Sequence, residues 1–268
     1  MRLCHLLTLV FSTILLLSFS AYAFTNNQLE SYAKQLPLSH SQTPEMIIQH
    51  LIKPEYSEME KARILAYFVA YQMQKNGYAE KIVKEATEKQ RPANFPSSSN
   101  ILQTRIGTSF DYAELYNQLC SIAGLESVIV DGYAGKNVQA PNRNNIKLQT
   151  VKHALHQTGI LPNFDMQRYE SAWNAVRIKD RWILVDTYWL HKEDKATLGK
   201  DIQTDREMKR FLAKREQKQP TLNELTKGKT INNDYFDAKP RTFVKTHFPF
   251  DSQWQLLPTP ITLTSFLK

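Results

Sequence analysis

Few side chains in this chain are placed to do covalent or acid–base work. Of its two cysteines, Cys4 sits ahead of an apolar run near the start, and Cys120 falls on the apolar face of a helical stretch. With Cys120 the only thiol beyond that start, no internal disulfide can form and no cysteine cluster is available to a metal. A buried, structural thiol is the reading for Cys120. Ser109 opens the same helical stretch, about 16 Å from Cys120 along the axis at the standard helical rise. Its hydroxyl is un-ionised near neutral pH and becomes a nucleophile only beside a base. It is equally a natural helix N-cap, with Thr108 and Asp111 offering a second capping arrangement. His153, His156 and His191 are the imidazoles a fold could bring to it, although scattered histidines are usually surface residues. Asp186 closes a strand and can orient a base or simply accept backbone hydrogen bonds. Trp173, Trp182 and Trp189 suit a core or a cleft wall. No cofactor and no metal are called for.

The elements that must position these groups are legible from periodicity. Residues 25–78 read as helical, best over 57–76. There Ser57 and Glu60 make a capping box, Ala62, Leu65, Ala66, Val69 and Met73 share one face, and Gly77 supplies the stop. A second amphipathic stretch covers 78–88, and the prolines and serines of 91–99 break it into a loop. The helix opened by Ser109 runs over about 110–123, with Tyr112, Ala113, Tyr116, Leu119 and Cys120 on its apolar side and Gly124 at its end. A strand follows at 127–130, ending at Asp131-Gly132-Tyr133. Two more, at 172–178 and 182–186, form an antiparallel hairpin through a turn at Lys179-Asp180. Residues 135–170 and 192–218 look like insertions, the second with a solvated helix near 206–215. Helices followed by a hairpin sheet predict an α+β domain. The chain divides into a leader over 1–23, a helical region over 24–96, a core over 97–190, a charged insertion over 191–230 and a C-terminal segment over 231–268 that packs on the core.

The leader sets the expected compartment. Arg2 and His5 precede an apolar run over 6–17, and Ala21-Tyr22-Ala23 gives a small-x-small ending. This is the pattern of a secretory signal peptide cut after Ala23, and the run is too short for a comfortable membrane span. The expected location is periplasmic or secreted. The formal charge is +8, with no zinc-finger spacing or recognition-helix signature to direct it toward nucleic acid. An exported basic protein meets anionic envelope polymers or lipid head groups, though such an excess most often only keeps a surface soluble.

Three segments, taken together, resemble the transglutaminase-like superfamily with its papain-like fold. Thr104-Arg105-Ile106-Gly107-Thr108-Ser109-Phe110-Asp111-Tyr112-Ala113 is similar to the turn that opens the family's nucleophile helix. Ser171-Ala172-Trp173-Asn174 resembles the family's His-Ala-Trp-Asn strand, and Arg181-Trp182-Ile183-Leu184-Val185-Asp186 the strand that delivers the catalytic Asp. In the tail, Asp234-Tyr235-Phe236, Thr246-His247-Phe248-Pro249, Trp254-Gln255-Leu256-Leu257 and Pro260-Ile261-Thr262 are similar to the kyphoscoliosis-peptidase branch. The resemblance covers about residues 101–266 apart from the two insertions.

The resemblance implies a chemistry and, with it, a departure. In the family a Cys at a helix N-terminus attacks a carboxamide or peptide carbonyl, a His moves the proton and an Asp orients the His. Ser109 stands at the Cys position, Ser171 at the His position, and Asp186 alone matches. The expected protein is an inactive pseudoenzyme that binds a protein or peptide, an envelope component among the candidates, in a cleft walled by Trp173, Asn174 and Tyr112. The alternatives are a residual serine-dependent peptidase or acyltransferase using Ser109, and an envelope scaffold with a vestigial cleft. His247 belongs to the tail motif and reads as structural.

Overall fold

Local caps start the helices. The computed structural model describes residues 24–78, 101–135, 170–192 and 202–266. Thr25, Thr43 and Ser57 precede α1 (Asn26–Gln35), α2 (Pro44–Leu51) and α3 (Glu58–Gln72), and each side chain accepts from an amide of the first turn. Ser57 and Glu60 form the capping box that their spacing predicts. The segment expected to be a signal peptide, most of the stretch expected over 78–88, the loop expected at 91–99 and nearly all of the first expected insertion lie outside the described residues.

α3 departs from the one-sided helix expected of it. Residues 64–72 are buried without a break, so the helix is central rather than amphipathic. It also stops before Gly77. Buried Lys229 donates from Nζ to the carbonyls of Ala70, Tyr71 and Met73, a cation at the negative end of the helix dipole. The residues that follow are claimed by a parallel ladder, β1 (Gln74–Lys75) on β2 (Ile106–Gly107).

The segment between these strands is tightly determined. After α4 (Ile101–Thr104), Arg105 takes a left-handed φ of 58° and sends a fully buried guanidinium to Ser41 O, Ser41 Oγ and Gln72 Oε1. Desolvation pulls its pKa down to about 10. A Cβ on Gly107 would lie 2.7 Å from that of Asp111, so glycine lets Asp111 fold back over the chain. The Asp111 carboxylate accepts from Thr108 N at 2.6 Å and Thr108 Oγ1 at 2.8 Å. Thr108 is therefore the N-cap of α5 (Ser109–Ile122), and Ser109 is the first residue inside the helix rather than its cap. The C-cap is Ala123, with Gly124 beyond it at φ 78°.

β3 (Ser127–Ala134), β4 (Glu170–Ile178) and β5 (Arg181–Val185) build an antiparallel sheet completed by β8 (His247–Pro249), in the order β5-β4-β3-β8. Lys179, at φ 53°, makes the β4–β5 turn. β3 runs past its expected end at 130, because Gly132 is a paired strand residue, opposite Ser171 on one side and Pro249 on the other. α5 packs on β4, where Asn174 Nδ2 donates to Ala113 O at 3.1 Å. Mixed helices on an antiparallel sheet give the α+β class expected.

The later segments seal this unit. β6 (His191–Lys192) pairs with β7 (Thr230–Ile231), and Asp186 N donates to Tyr235 O beside β5. The helix expected to be solvated, α6 (Asp205–Gln217), instead buries Met208 and Leu212 with Tyr78 and Ile106. Spaced one turn apart, those two residues share a face. α7 (Leu222–Thr226) leads to Lys229, and α8 (Pro240–Phe243) adds Phe243 to the main core. Among the described residues no helix is long and apolar enough to cross a membrane.

Gly132 provides a test of this packing. A Cβ there would lie 2.3 Å from the Phe248 carbonyl oxygen and 2.5 Å from the Trp173 ring, whereas one on Gly124 would meet nothing within 4 Å. Gly132→Ala is expected to cost about 3 kcal/mol through overpacking. Gly124→Ala should cost about 1–2 kcal/mol, from its left-handed backbone alone. Urea denaturation measures both; equal losses would refute the close approach at Gly132.

Candidate functional site

The three positions singled out by the sequence come from three elements. Ser109 opens α5, Ser171 lies near the start of β4, and Asp186 follows β5. Ala172 N donates to Ser109 Oγ at 3.4 Å, so Ser109 sits against the residue that follows Ser171. Both serines are largely buried, at 9% and 5% exposure. Ser109 Oγ thus faces a backbone donor. Among the described residues no imidazole or carboxylate is hydrogen-bonded to it.

Asp186 has a partner that sequence reasoning did not assign. Its Oδ1 accepts from Trp189 N at 2.9 Å, and its Oδ2 lies 2.9 Å from His247 Nε2. Both side chains are completely buried. An ionised Asp186 can only accept, so Nε2 donates to it. Thr246 Oγ1 lies 2.8 Å from His247 Nδ1, on the far side of the ring. Phe243 stacks on the imidazole with centroids 3.9 Å apart, and Trp173 stands edge-on to it at 5.1 Å. Trp189 and Tyr235 complete the surround. His247, expected from its motif to be structural, is a core residue that bonds directly to the family-type Asp.

That bond shapes the sheet. β5 and β8 are the outermost of the four strands, and a flat sheet would hold them about 14 Å apart at the usual strand spacing. For residues at their ends to share a hydrogen bond, the sheet must curl. The Trp173 ring lies over β3, where Gly132 has no side chain to block it, and so reaches His247 and Phe243.

Several of the other residues singled out from the sequence are buried. Tyr112, Trp173 and Asn174, expected to wall a cleft, are each at most 1% exposed. Tyr112 stands edge-on to Tyr188 at 5.0 Å. His191 is buried, its ring parallel to that of Tyr112 at 5.9 Å. His153 and His156 lie outside the described residues. Phe110, next to Ser109, is 45% exposed. Cys120 is fully buried, and desolvation pushes its thiol up to about 12 despite hydrogen bonds from Tyr116 and Ser127 that act the other way. Among the described residues no group of three or more His, Cys, Asp or Glu could hold a metal.

Comparison with known proteins bears on this arrangement. The family model described as the transglutaminase-like superfamily matches residues 45–187, more than half of the chain and all three positions above. Kyphoscoliosis peptidase of Mus musculus is 27% identical over 220 residues, covering 82% of this chain and 25% of the relative. The Homo sapiens protein of that name is 24% identical over 241 residues, 89% of this chain and 28% of the relative. Hillarin of Drosophila melanogaster is 28% identical over 157 residues, 58% of this chain and 15% of the relative. The chain thus spans roughly a quarter or less of these relatives' own lengths.

Two outcomes follow from the geometry. His247→Ala leaves Asp186 Oδ2 buried without its hydrogen-bond partner and removes a packed ring, and is expected to lower stability by about 3–5 kcal/mol. In a double-mutant cycle with Asp186→Ala, the two losses should fall well short of adding; additive losses would show that the pair is not coupled. Cys120 should resist iodoacetamide at pH 8 in the folded protein and react on unfolding, since the thiolate is the reactive form. Rapid labelling of the native state would contradict its burial.

Proposed function

The chain belongs to the transglutaminase-like superfamily, and we propose that it keeps the fold as a binding platform while lacking the chemistry. On this reading it is an exported pseudoenzyme whose ligand is a protein or peptide, with envelope proteins and cell-wall peptide stems the classes to try first. The relatives named as peptidases lend the substrate class, and function carried along a fold is an analogy. Export rests on the signal-peptide pattern over 1–23.

One observation carries the loss of chemistry. Both oxygens of Asp186 are engaged, Oδ1 by the Trp189 amide and Oδ2 by His247. The carboxylate that would orient a catalytic imidazole is thus committed to a core histidine. Ser109 has no hydrogen-bonded base among the described residues, and an un-ionised hydroxyl without a base is a poor nucleophile. Ser171 offers a hydroxyl where the family chemistry needs a proton acceptor near neutral pH.

The test follows amine incorporation and amide hydrolysis by wild type, Ser109→Ala and the double variant Ser109→Cys, Ser171→His. Wild type is expected to match Ser109→Ala. The double variant should stay far below a working triad, for which a wrongly held imidazole costs about 10⁴ in rate. Wild-type turnover that disappears in Ser109→Ala overturns the pseudoenzyme reading. For the ligand, labelled envelope peptides are titrated by fluorescence anisotropy; failure of every one to saturate rejects the peptide-binding half.

A further inference from the structure

We infer that removal of residues 1–23 creates a structural ion pair, in which the newly formed α-ammonium of Phe24 seats on the Glu60 carboxylate and fastens the start of the mature chain to α3. This rests on the proposed export reading for the cleavage itself. The seat for the nitrogen stands on the geometry alone.

Phe24 N already donates to Glu60 Oε1 at 2.7 Å. The other oxygen is occupied by the capping box, accepting from Ser57 N at 2.8 Å and Ser57 Oγ at 2.6 Å. Oε1 therefore faces the Phe24 nitrogen while Oε2 serves the helix. The nitrogen is held from both sides. The Phe24 ring is half-buried and edge-on to Tyr56 at 4.8 Å, and Thr25 is fixed as the N-cap of α1, with Gln28 Oε1 accepting from its amide. Burial would raise the Glu60 carboxyl, but the bonds from Ser57 and Phe24 outweigh it and hold the group below its ordinary value. Glu60 is thus an anion waiting at the cut site.

Cleavage changes the charge and not the position. Water adds across the Ala23–Phe24 peptide bond, with an export-linked leader peptidase as catalyst. The C–N bond breaks, Ala23 leaves with a carboxylate, and Phe24 N takes up protons to become an ammonium. A neutral amide donor then becomes a cation facing a carboxylate. The other charged or titratable groups here are Lys53, whose Nζ stands 4.9 Å from the Phe24 ring centroid, Tyr32, Tyr56 and Glu55. Lys53 and the positive end of α3 oppose a second cation, but Glu60 is in direct contact, and the nearest charge dominates.

The experiment has two independent arms. Intact mass of the protein recovered from an exporting host is expected to show a chain that begins at Phe24. Any other start rejects the leader reading and this inference with it. Separately, a chain beginning at Phe24 is made by scarless tag removal, its amines are ¹³C-methylated, and the α-amine is titrated by NMR. Its apparent pKa is expected about one unit above the ordinary 7.7–8.0. It should return to the ordinary range in Glu60→Gln, which keeps an acceptor and a capping-box side chain. An α-amine pKa raised in the folded state contributes stability below its ordinary value, lost as pH rises through the raised one. At neutral pH the Phe24 form should therefore melt about 2–4 °C above a chain retaining residues 21–23, with no difference in the Glu60→Gln background. An ordinary α-amine pKa in the wild type, or an equal melting difference in Glu60→Gln, overturns the ion pair whatever the first arm shows.

Discussion

Asp186 and His247 meet where no solvent reaches, and much of the molecule is arranged around that contact. A buried carboxylate is costly unless its charge is met and its oxygens are bonded. Here one oxygen has a main-chain donor and the other an imidazole, which is itself boxed by Phe243, Trp173, Trp189 and Tyr235. Satisfying the pair draws the outer strands of a four-stranded sheet toward each other. That curl in turn requires a bare Gly132 under the Trp173 ring. A substitution at any of these positions is therefore felt at the others.

The features legible in the sequence are those decided within a few residues. Ser57 and Glu60 announce the start of α3, the helix over 109–122 has its stop signal in Gly124, and the β4–β5 turn is marked by Lys179-Asp180. What escaped depends on distant partners. α3 reads as one-sided because the side chains that close its other faces come from far along the chain, and its end is capped by Lys229, 159 residues beyond Ala70. Asp131-Gly132 reads as the end of a strand, since the need for glycine comes from a ring on the next strand. At the candidate site, Ser109, Ser171 and Asp186 were found through resemblance. The bond that commits Asp186 spans 61 residues and left no local mark.

Two buried cations show how the helical layer solves its own polar problem. Lys229 supplies protons to carbonyls left open at the end of α3, and Arg105 gives its protons to Ser41 and Gln72. Among the described residues no carboxylate pairs with Arg105. Through these bonds both cations donate to neutral oxygens, while Arg105 Nε is buried without a hydrogen-bond partner among the described residues. Both tie the N-terminal helices to later segments, so helices and sheet share one core.

The position of His247 also constrains when this fold can come into being. A ribosome adds residues in order, and a chain that has reached β5 holds Asp186 with no imidazole to receive it. The core strand β8 and the ring that bonds Asp186 arrive together, His247 being 61 residues further along the chain. Until then the half-made sheet has an unpaired edge at β3, and the Asp186 side chain lacks its partner. β8 thus acts as a latch, and the core can close only once that strand has been made.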